Sequence, residues 1–394
     1  MFSRHRQISR RELMAYGPKV AGAGLIGLGT SAAFSKSNRT PVTNSDRSIK
    51  IGQIGTAHAH ARGKMETLRK LNREYKVVGI VEPDPERRKT VENHPAYKGL
   101  KWMSEEQLLN TKGLRAVAVE TAKCDLVPAA MRCINAGMHI HLDKPPVESL
   151  SAFKKLLDEA TSRRLIVQMG YMFRNNPAFQ FCFKAVREGW LGDIFEVHGV
   201  IGKTISNSRR RELARYRGGT MFELGCHLID SLVSVLGKPD RIAPYVRHTR
   251  PQQDSLADNQ LAVFEYSKAV ATVRSAMVEV EGTKRRQFVV CGDRGTVEIR
   301  PLEPPSLQLA LSRPRGRHKK GYQEINLPPM PGRYDEQLID FACIIRGEKE
   351  SGYPPSHDLA VHEAVLQASG IMVGAYQPII LPQLMHRRTQ NPPS

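Results

Sequence analysis

One stretch restricts the fold of this chain more than any other. Ser48 to Ile54 (Ser-Ile-Lys-Ile-Gly-Gln-Ile) reads as a buried strand running into Gly55-Thr56-Ala57-His58-Ala59-His60. A helical stretch with Lys64, Met65, Leu68 and Leu71 follows, and then a strand, Lys76 to Val81, that ends in Glu82. Strand, tight turn, helix, strand and acid make up the opening unit of a dinucleotide-binding sheet. The turn lets the backbone approach a pyrophosphate at the helix N-terminus, and a carboxylate about 20 residues on reaches the ribose hydroxyls. Glu82 lies 27 residues after Gly55. The glycine fingerprint is incomplete, with Gly55, Ala57 and His60 where G-x-G-x-x-G is expected. Alanine still permits a fairly close backbone approach, whereas histidine at the third place is unusual. The helix N-terminus can bind phosphate in either case.

The alternation continues. Ala116 to Val119 is a strand ending at Glu120-Thr121, Leu126 to Ala136 a helix stopped by Gly137, and Met138 to Leu142 a strand ending in Asp143-Lys144-Pro145-Pro146. The helix Leu150 to Ser162 and the strand Leu165 to Met169 follow. This spacing predicts an α/β, doubly wound parallel sheet, a Rossmann domain over 47–170. Ligands of such sheets sit outside the carboxyl ends of the strands. Glu82, Glu120, Thr121, Asp143 and Lys144 all fall there and, with Gly55, Thr56, Ala57 and His58, are the candidate cofactor contacts. Lys144 is fixed in direction by the two prolines after it, where it can donate to a substrate hydroxyl. His58 and His60 suggest metal ligands, but no carboxylate or cysteine is spaced with them, so no metal site is expected.

Beyond residue 170 the pattern changes. Ile194 to Gly202, Gln260 to Tyr266, Ala269 to Val278, Gln287 to Val290, Thr296 to Arg300 and Ser306 to Leu311 read as strands of a predominantly antiparallel open sheet. This α+β domain is assigned to 171–384. Pro301 to Gly332 reads as a Pro-rich, basic surface excursion, and Tyr334 to Arg346 and His357 to Tyr376 as late helices. Met221 to Leu236 reads as a helix ended by Gly237. Glu223, His227 and Asp230 then share one helical face. His227 would exchange a proton with a substrate hydroxyl while Glu223 fixes its tautomer. Thr220-x-x-Glu223 is also a capping-box sequence, which would leave Glu223 at the helix start only. Arg174 and Asn176, after the fifth strand, are candidate substrate contacts together with Asp230.

The 394 residues carry a formal charge of +20, of which residues 1–39 contribute six. Ser9-Arg10-Arg11-Glu12-Leu13-Met14 is a twin-arginine pattern. An uncharged Gly/Ala-rich run, Val20 to Phe34, and the small residues Ser31-Ala32-Ala33 complete the order of a Tat signal peptide over 1–36. The run is too short for a confident membrane span. Export to the periplasm by the Tat machinery is expected, with tethering by an uncleaved leader as the alternative. Because that route carries folded proteins, a cofactor can travel in place, and tight retention follows. The basic clusters at Arg209-Arg210-Arg211, at Lys284-Arg285-Arg286, from Arg313 to Lys320 and at Arg387-Arg388 read as solvated loops. No nucleic-acid-binding pattern accompanies them. Six cysteines without a C-x-x-C pair read as free thiols, with Cys124, Cys133 and Cys291 in core elements.

Five stretches together resemble the Gfo/Idh/MocA oxidoreductases, from about Ile49 to Leu381. They are Ile51 to His58; Leu142-Asp143-Lys144-Pro145, similar to the family's E-K-P with Asp for Glu; Gly189 to Ile194; Gly218 to Asp230, similar to G-G-x-x-x-D-x-G-x-H-x-x-D; and Cys291 to Val297. The resemblance implies a nicotinamide cofactor and hydride transfer at a carbinol carbon of a sugar or polyol. Lys144, Glu223 and His227 would stand around that carbon. It also implies a homo-oligomer. Two features depart from the pattern: Glu223 replaces Asp, and Thr121-Ala122-Lys123-Cys124-Asp125-Leu126 lacks the Pro and His of T-P-x-x-x-H. Glu82 disfavours the 2′-phosphate of NADP by charge, a slight preference for NAD that Arg87 and Arg88 oppose. Two alternatives remain: NAD-dependent glycoside cleavage, in which transient oxidation permits elimination, and a non-catalytic sugar-binding or regulatory protein on the same scaffold.

Overall fold

A computed structural model describes residues 47–373, so the expected twin-arginine leader, Arg387-Arg388 and the end of the last expected helix lie outside the described residues. The first domain is the expected parallel sheet. Its elements are β1 (Ile49–Ile54), α1 (Ala61–Lys70), β2 (Tyr75–Val81), α2 (Pro85–Val91), α3 (Glu105–Leu109), β3 (Leu114–Val119), α4 (Leu126–Asn135), β4 (His139–Leu142), α5 (Leu150–Ser162) and β5 (Val167–Met169). The strand order is β2-β1-β3-β4-β5, with every pair parallel. The strands are apolar on both faces because both are covered. Val117, Val119 and Leu142 pack in one cluster with Leu126, Ala130 and Phe153, whereas Ile49, Ile51, Ala116 and Ala118 pack in another with Leu68.

The second domain follows through α6 (Pro177–Arg187), β6 (Ile194–Gly202), α7 (Asn207–Leu213), a π-helical turn at Met221–Gly225 and α8 (Cys226–Leu236). Then come β7 (Arg241–Arg247), β8 (Asn259–Glu265), β9 (Val270–Ala276), β10 (Gln287–Gly292), β11 (Gly295–Leu302), β12 (Pro305–Leu311) and β13 (Gly321–Glu324). These strands form one eight-stranded sheet, β13-β12-β11-β10-β6-β9-β8-β7. It is antiparallel throughout except where β6 meets β9. The expected surface excursion at 301–332 instead supplies β12 and β13, which extend the sheet. β7 also joins, at the opposite edge, although Pro244 interrupts its pattern; an edge strand tolerates a proline.

Two late helices, α9 (Asp335–Ile345) and α10 (Pro355–Ala368), close the structure. α9 returns to the first sheet, where Leu338, Phe341, Ala342 and Ile345 cover Ile49, Ile51, Ala116 and Ala118. The chain therefore finishes the first domain only after building the second. All six cysteines are free thiols, but Cys124 is exposed on the turn after β3 and Cys291 is only half-buried, not in the core. Among the described residues no helix is long and apolar enough to cross a membrane.

The Arg209-Arg210-Arg211 cluster is not a solvated face. Arg210 is fully buried and donates to both carboxylate oxygens of Asp254 (Nε 2.8 Å, Nη2 2.9 Å) and to Asp258 (Nη1 2.8 Å). Removing one partner of a buried pair strands the other's charge. Arg210→Met should therefore cost about 3–5 kcal/mol in urea unfolding. Wild-type stability would show that the pair is not closed from water.

Candidate active site

The carboxyl ends of β1, β2 and β3 open onto a cleft of about 710 Å³. Gly55 to Ala59, Glu82 and Thr121 to Lys123 form one wall, and Arg209, Glu212, Arg215 and Tyr216 of the second domain form the other. Gly55 sits at φ +87°, and a Cβ there would stand 2.6 Å from the backbone of Thr121, so the strand-to-helix turn admits only glycine. α1 begins at the cleft with no side chain capping it. Arg62, Arg87, Lys123, Arg209 and Arg215 line the cleft, interleaved with Glu82, Asp84, Asp125 and Glu212. An open helix N-terminus and a close-approach glycine, with arginines nearby, fit the pyrophosphate of a dinucleotide. Glu82 reaches the cleft, where its Oε2 accepts from Thr56 N (2.8 Å) and Oγ1 (2.6 Å). Arg87 is committed to Thr56, donating to its carbonyl at 2.7 Å and its hydroxyl at 3.0 Å.

Beneath the cleft lies a buried ion cluster. Lys64 projects from α1 with no exposed surface and meets Asp143 at 2.7 Å and Glu120 at 3.1 Å. His58 Nδ1 stands 2.9 Å and His60 Nδ1 3.2 Å from the Asp143 carboxylate. Burial opposes the charge on Asp143, but His58, Lys64 and His60 hold its carboxyl well below the usual range. Burial, and then Asp143 itself, push Glu120 well above the usual range, more than Lys64 lowers it. Burial lowers the Lys64 ammonium, yet Asp143 and Glu120 outweigh it and raise its pKa overall. The cluster is thus a Lys64–Asp143 ion pair with Glu120 beside it, a carboxyl that burial and Asp143 make harder to ionise. Its output is the placement of Lys144: Asp143 Oδ1 accepts the Lys144 N–H at 2.7 Å, and His58 Nε2 lies 3.1 Å from the Lys144 carbonyl. Both main-chain polar groups of Lys144 are clamped, one of them by a histidine that also lines the cleft.

The Lys144 ammonium donates to the Glu223 carbonyl at 2.8 Å. Glu223 lies in the π-helical turn, and such turns recur at functional sites. The capping box does not form, because the Thr220 hydroxyl pairs with Ser275 at 2.8 Å. Nor does Glu223 orient His227. Its carboxylate meets Lys123 at 3.0 Å and Arg209 at 3.0 Å. Burial would raise its pKa, and Lys123, Lys144 and Arg209 bring it far below the usual range. His227 is buried among the rings of Phe173, Tyr171 and His60, with centroids 5.5, 6.1 and 6.4 Å away. Its Nδ1 has no partner among the described residues. Burial, then Lys144 and His60, hold it neutral, well below its ordinary pKa.

Other expected site residues stand elsewhere. Arg174 is buried between the Tyr171 and Tyr353 rings and pairs with Asp230 (2.6 Å) and Asp358 (2.5 Å), so Arg174 and Asp230 lock β5, α8 and α10 together and do not present a face to a sugar. Asn176 caps α6, accepting from Ala178 N at 2.9 Å. Glu120 and Asp143 point inward to Lys64, away from the cofactor cleft. The lack of a carboxylate near His58 and His60 in sequence also misled. Asp143 comes to them in space, and the three offer ligand atoms within 4.8 Å of one another, although Lys64 already supplies a cation there. Sequence reading missed Lys64, Lys123 and Arg209; an apolar helix face interrupted by a lysine was the one available signal for Lys64.

A parallel dinucleotide sheet with a cleft at its carboxyl ends fits an NAD(P)-binding oxidoreductase. Residues 49–171 match the oxidoreductase family's NAD-binding Rossmann fold, and residues 179–298 match the GFO/IDH/MocA C-terminal domain. The chain belongs to the Gfo/Idh/MocA oxidoreductase family. It is 27% identical over 213 residues to the uncharacterized oxidoreductase YhhX of Escherichia coli K12, covering 53% of this chain and 59% of that protein. It is 25% identical over 318 residues to the bovine (Bos taurus) trans-1,2-dihydrobenzene-1,2-diol dehydrogenase, covering 76% of this chain and 90% of the relative. The aldose-aldose oxidoreductase of Caulobacter crescentus, solved with glycerol, shares the fold at a TM-score of 0.69 and 20% identity, over 82% of this chain and 98% of that one.

Two outcomes follow. Lys64→Met removes the cation paired with buried Asp143, and should cost about 3–5 kcal/mol of unfolding free energy. Gly170→Ala, whose Cβ would stand 2.8 Å from the Lys64 ammonium, should give a smaller loss. Equal stability of both variants and the parent would remove the cluster from the account. His60, His141 and His362 are pushed by burial to about 3. The unfolded chain therefore binds protons that the folded chain refuses between about pH 6.5 and 3, and stability should fall as pH drops through that window. A flat stability profile there would contradict the burial.

Proposed function

We propose that this protein is a nicotinamide-dependent oxidoreductase that interconverts a hydroxyl and a carbonyl on a carbohydrate or polyol, with Lys144 and His227 at the reacting carbon. The observation that carries this reading is the double clamp on Lys144, one side of which is His58 in the cofactor cleft. Gly55 to Ala59, Glu82 and Thr121 would hold the cofactor; bound there, it supplies the hydride acceptor or donor. The chain's own groups handle the proton. Lys144 donates a hydrogen bond to the substrate oxygen in place of its bond to the Glu223 carbonyl. His227, neutral and unpartnered at Nδ1, is free to accept or return the hydroxyl proton. The aromatic wall around His227 keeps water from competing. Glu223 acts through Lys123 and Arg209, tying the π-helical turn to the cleft.

Glu82 faces the ribose end while Arg87 is spent on Thr56, which supports NAD over NADP. The twin-arginine leader supports export with the cofactor in place. Tyr245, Leu261, Val270 and Tyr322, exposed on the second sheet, suit self-association.

The test is to isolate the protein, identify any nucleotide released on denaturation, and follow nicotinamide absorbance and aglycone release with sugar, polyol and aryl-glycoside panels. An absorbance change supports the proposal. Aglycone release without net change would replace it by redox-neutral glycoside cleavage, and binding without either would leave a sugar-binding protein. Lys144→Ala should lose about 10²–10⁴-fold in turnover while the protein still folds. Activity like that of the parent would remove Lys144 from the chemistry.

A further inference from the structure

A second group of cations, Lys203, Arg286 and Arg333, gathers where β6 ends and β10 begins. We propose that it is a subsite for an oxyanion on the substrate, so that the sugar taken is a sugar acid or sugar phosphate and not a neutral hexose. This rests on the reading that a carbohydrate is bound at Lys144 and His227.

The group is built at the end of β6 and the start of β10. Lys203 directly follows β6 and is fixed by its N–H to the Ala276 carbonyl at 3.0 Å. Its half-buried ammonium has no hydrogen bond or ion pair among the described residues. Arg286, buried, donates Nε to the Gly202 carbonyl at 3.0 Å, which sets its guanidinium beside Lys203. Its Nη1 lies 3.7 Å from Glu303. That carboxylate is already taken by Arg333, through Nε at 2.8 Å and Nη2 at 2.6 Å. One acid therefore serves two guanidinium groups. Arg333 leads into Tyr334, whose ring is 5.7 Å from His60, and His60 is 6.4 Å from His227. The array thus runs up to the proposed reacting position.

The charges are felt there. Burial lowers His227, and Lys144, His60 and Arg333 add to the effect. Burial pushes Lys203 down to about 8; Glu223 opposes, and Lys144, Arg286 and Arg209 lower it further. Among the described residues, Lys203, Arg286 and Arg333 have Glu303 alone as an ion-paired acid between them. Like charges drawn together out of water repel, and a hydroxylated neutral sugar does nothing to relieve that. A carboxylate or phosphate does, and the planar guanidinium of Arg286 suits either.

The experiment measures calorimetric binding of D-glucuronate, D-glucose 6-phosphate and D-glucose to the whole protein saturated with NAD, so that the nucleotide cleft is closed to phosphate. At least one of the two anions should bind ten-fold or more tightly than glucose. The margin should shrink several-fold in Lys203→Gln, which has no pairing to break and should keep its melting temperature. The uronate and phosphate arms tell the two oxyanions apart. Equal binding of all three, binding of none, or a margin that survives both Lys203→Gln and Arg286→Gln overturns the subsite. Tight anion binding without any redox change would sink the proposed oxidation and leave the subsite standing; oxidation of glucose without anion preference does the reverse.

Discussion

The carboxylate of Asp143 has no contact with water, and the geometry around Lys144 depends on how its charge is met. Lys64 rises from the first helix to pair with it, His58 and His60 close around it, and its second oxygen takes the Lys144 N–H. A lone buried carboxylate would protonate and let go of that N–H. The ion pair keeps the charge, and the charge keeps the main chain of Lys144 in one place. Glu120, beside it, is harder to ionise, because burial and the neighbouring Asp143 both raise its pKa.

Two other buried networks use the same physics for a different end. Arg174 with Asp230 and Asp358, and Arg210 with Asp254 and Asp258, join elements far apart in sequence. In each, one guanidinium is held by two carboxylates of the fold, and no cation is left over to meet a ligand. Around Lys203, Arg286 and Arg333 the charges are not matched. That contrast separates side chains that hold the fold from side chains that wait for something outside it.

Much of this was legible in the chain itself. β1, its glycine turn, the parallel alternation and Lys144 at a strand end are local patterns, and local patterns survive folding. Glu223 and His227 were found by helical spacing, but their relation was misjudged. A π-helical turn shifts the register that the spacing assumed, and Glu223 turns to Lys123 and Arg209. Lys64 and Asp143 are 79 residues apart, and nothing in either neighbourhood announces the other. The same holds for the carboxylate beside His58 and His60, and for α9, which crosses back to finish the first sheet. Arg174 and Asp230 looked like ligand contacts because each is polar amid apolar neighbours, which is also how a buried ion pair looks from one side.

The central claim is that the Lys64–Asp143 pair sets Lys144 against the nicotinamide end of a dinucleotide lying in the cleft at the strand ends. A crystal structure of the protein grown with NAD tests it most directly. The account predicts the adenosine ribose at Glu82, the pyrophosphate along Gly55 to Ala59, and the nicotinamide beside Lys144, with the bond from Asp143 to the Lys144 N–H intact. A nucleotide bound outside the cleft, or with its nicotinamide end turned away from Lys144, would contradict it.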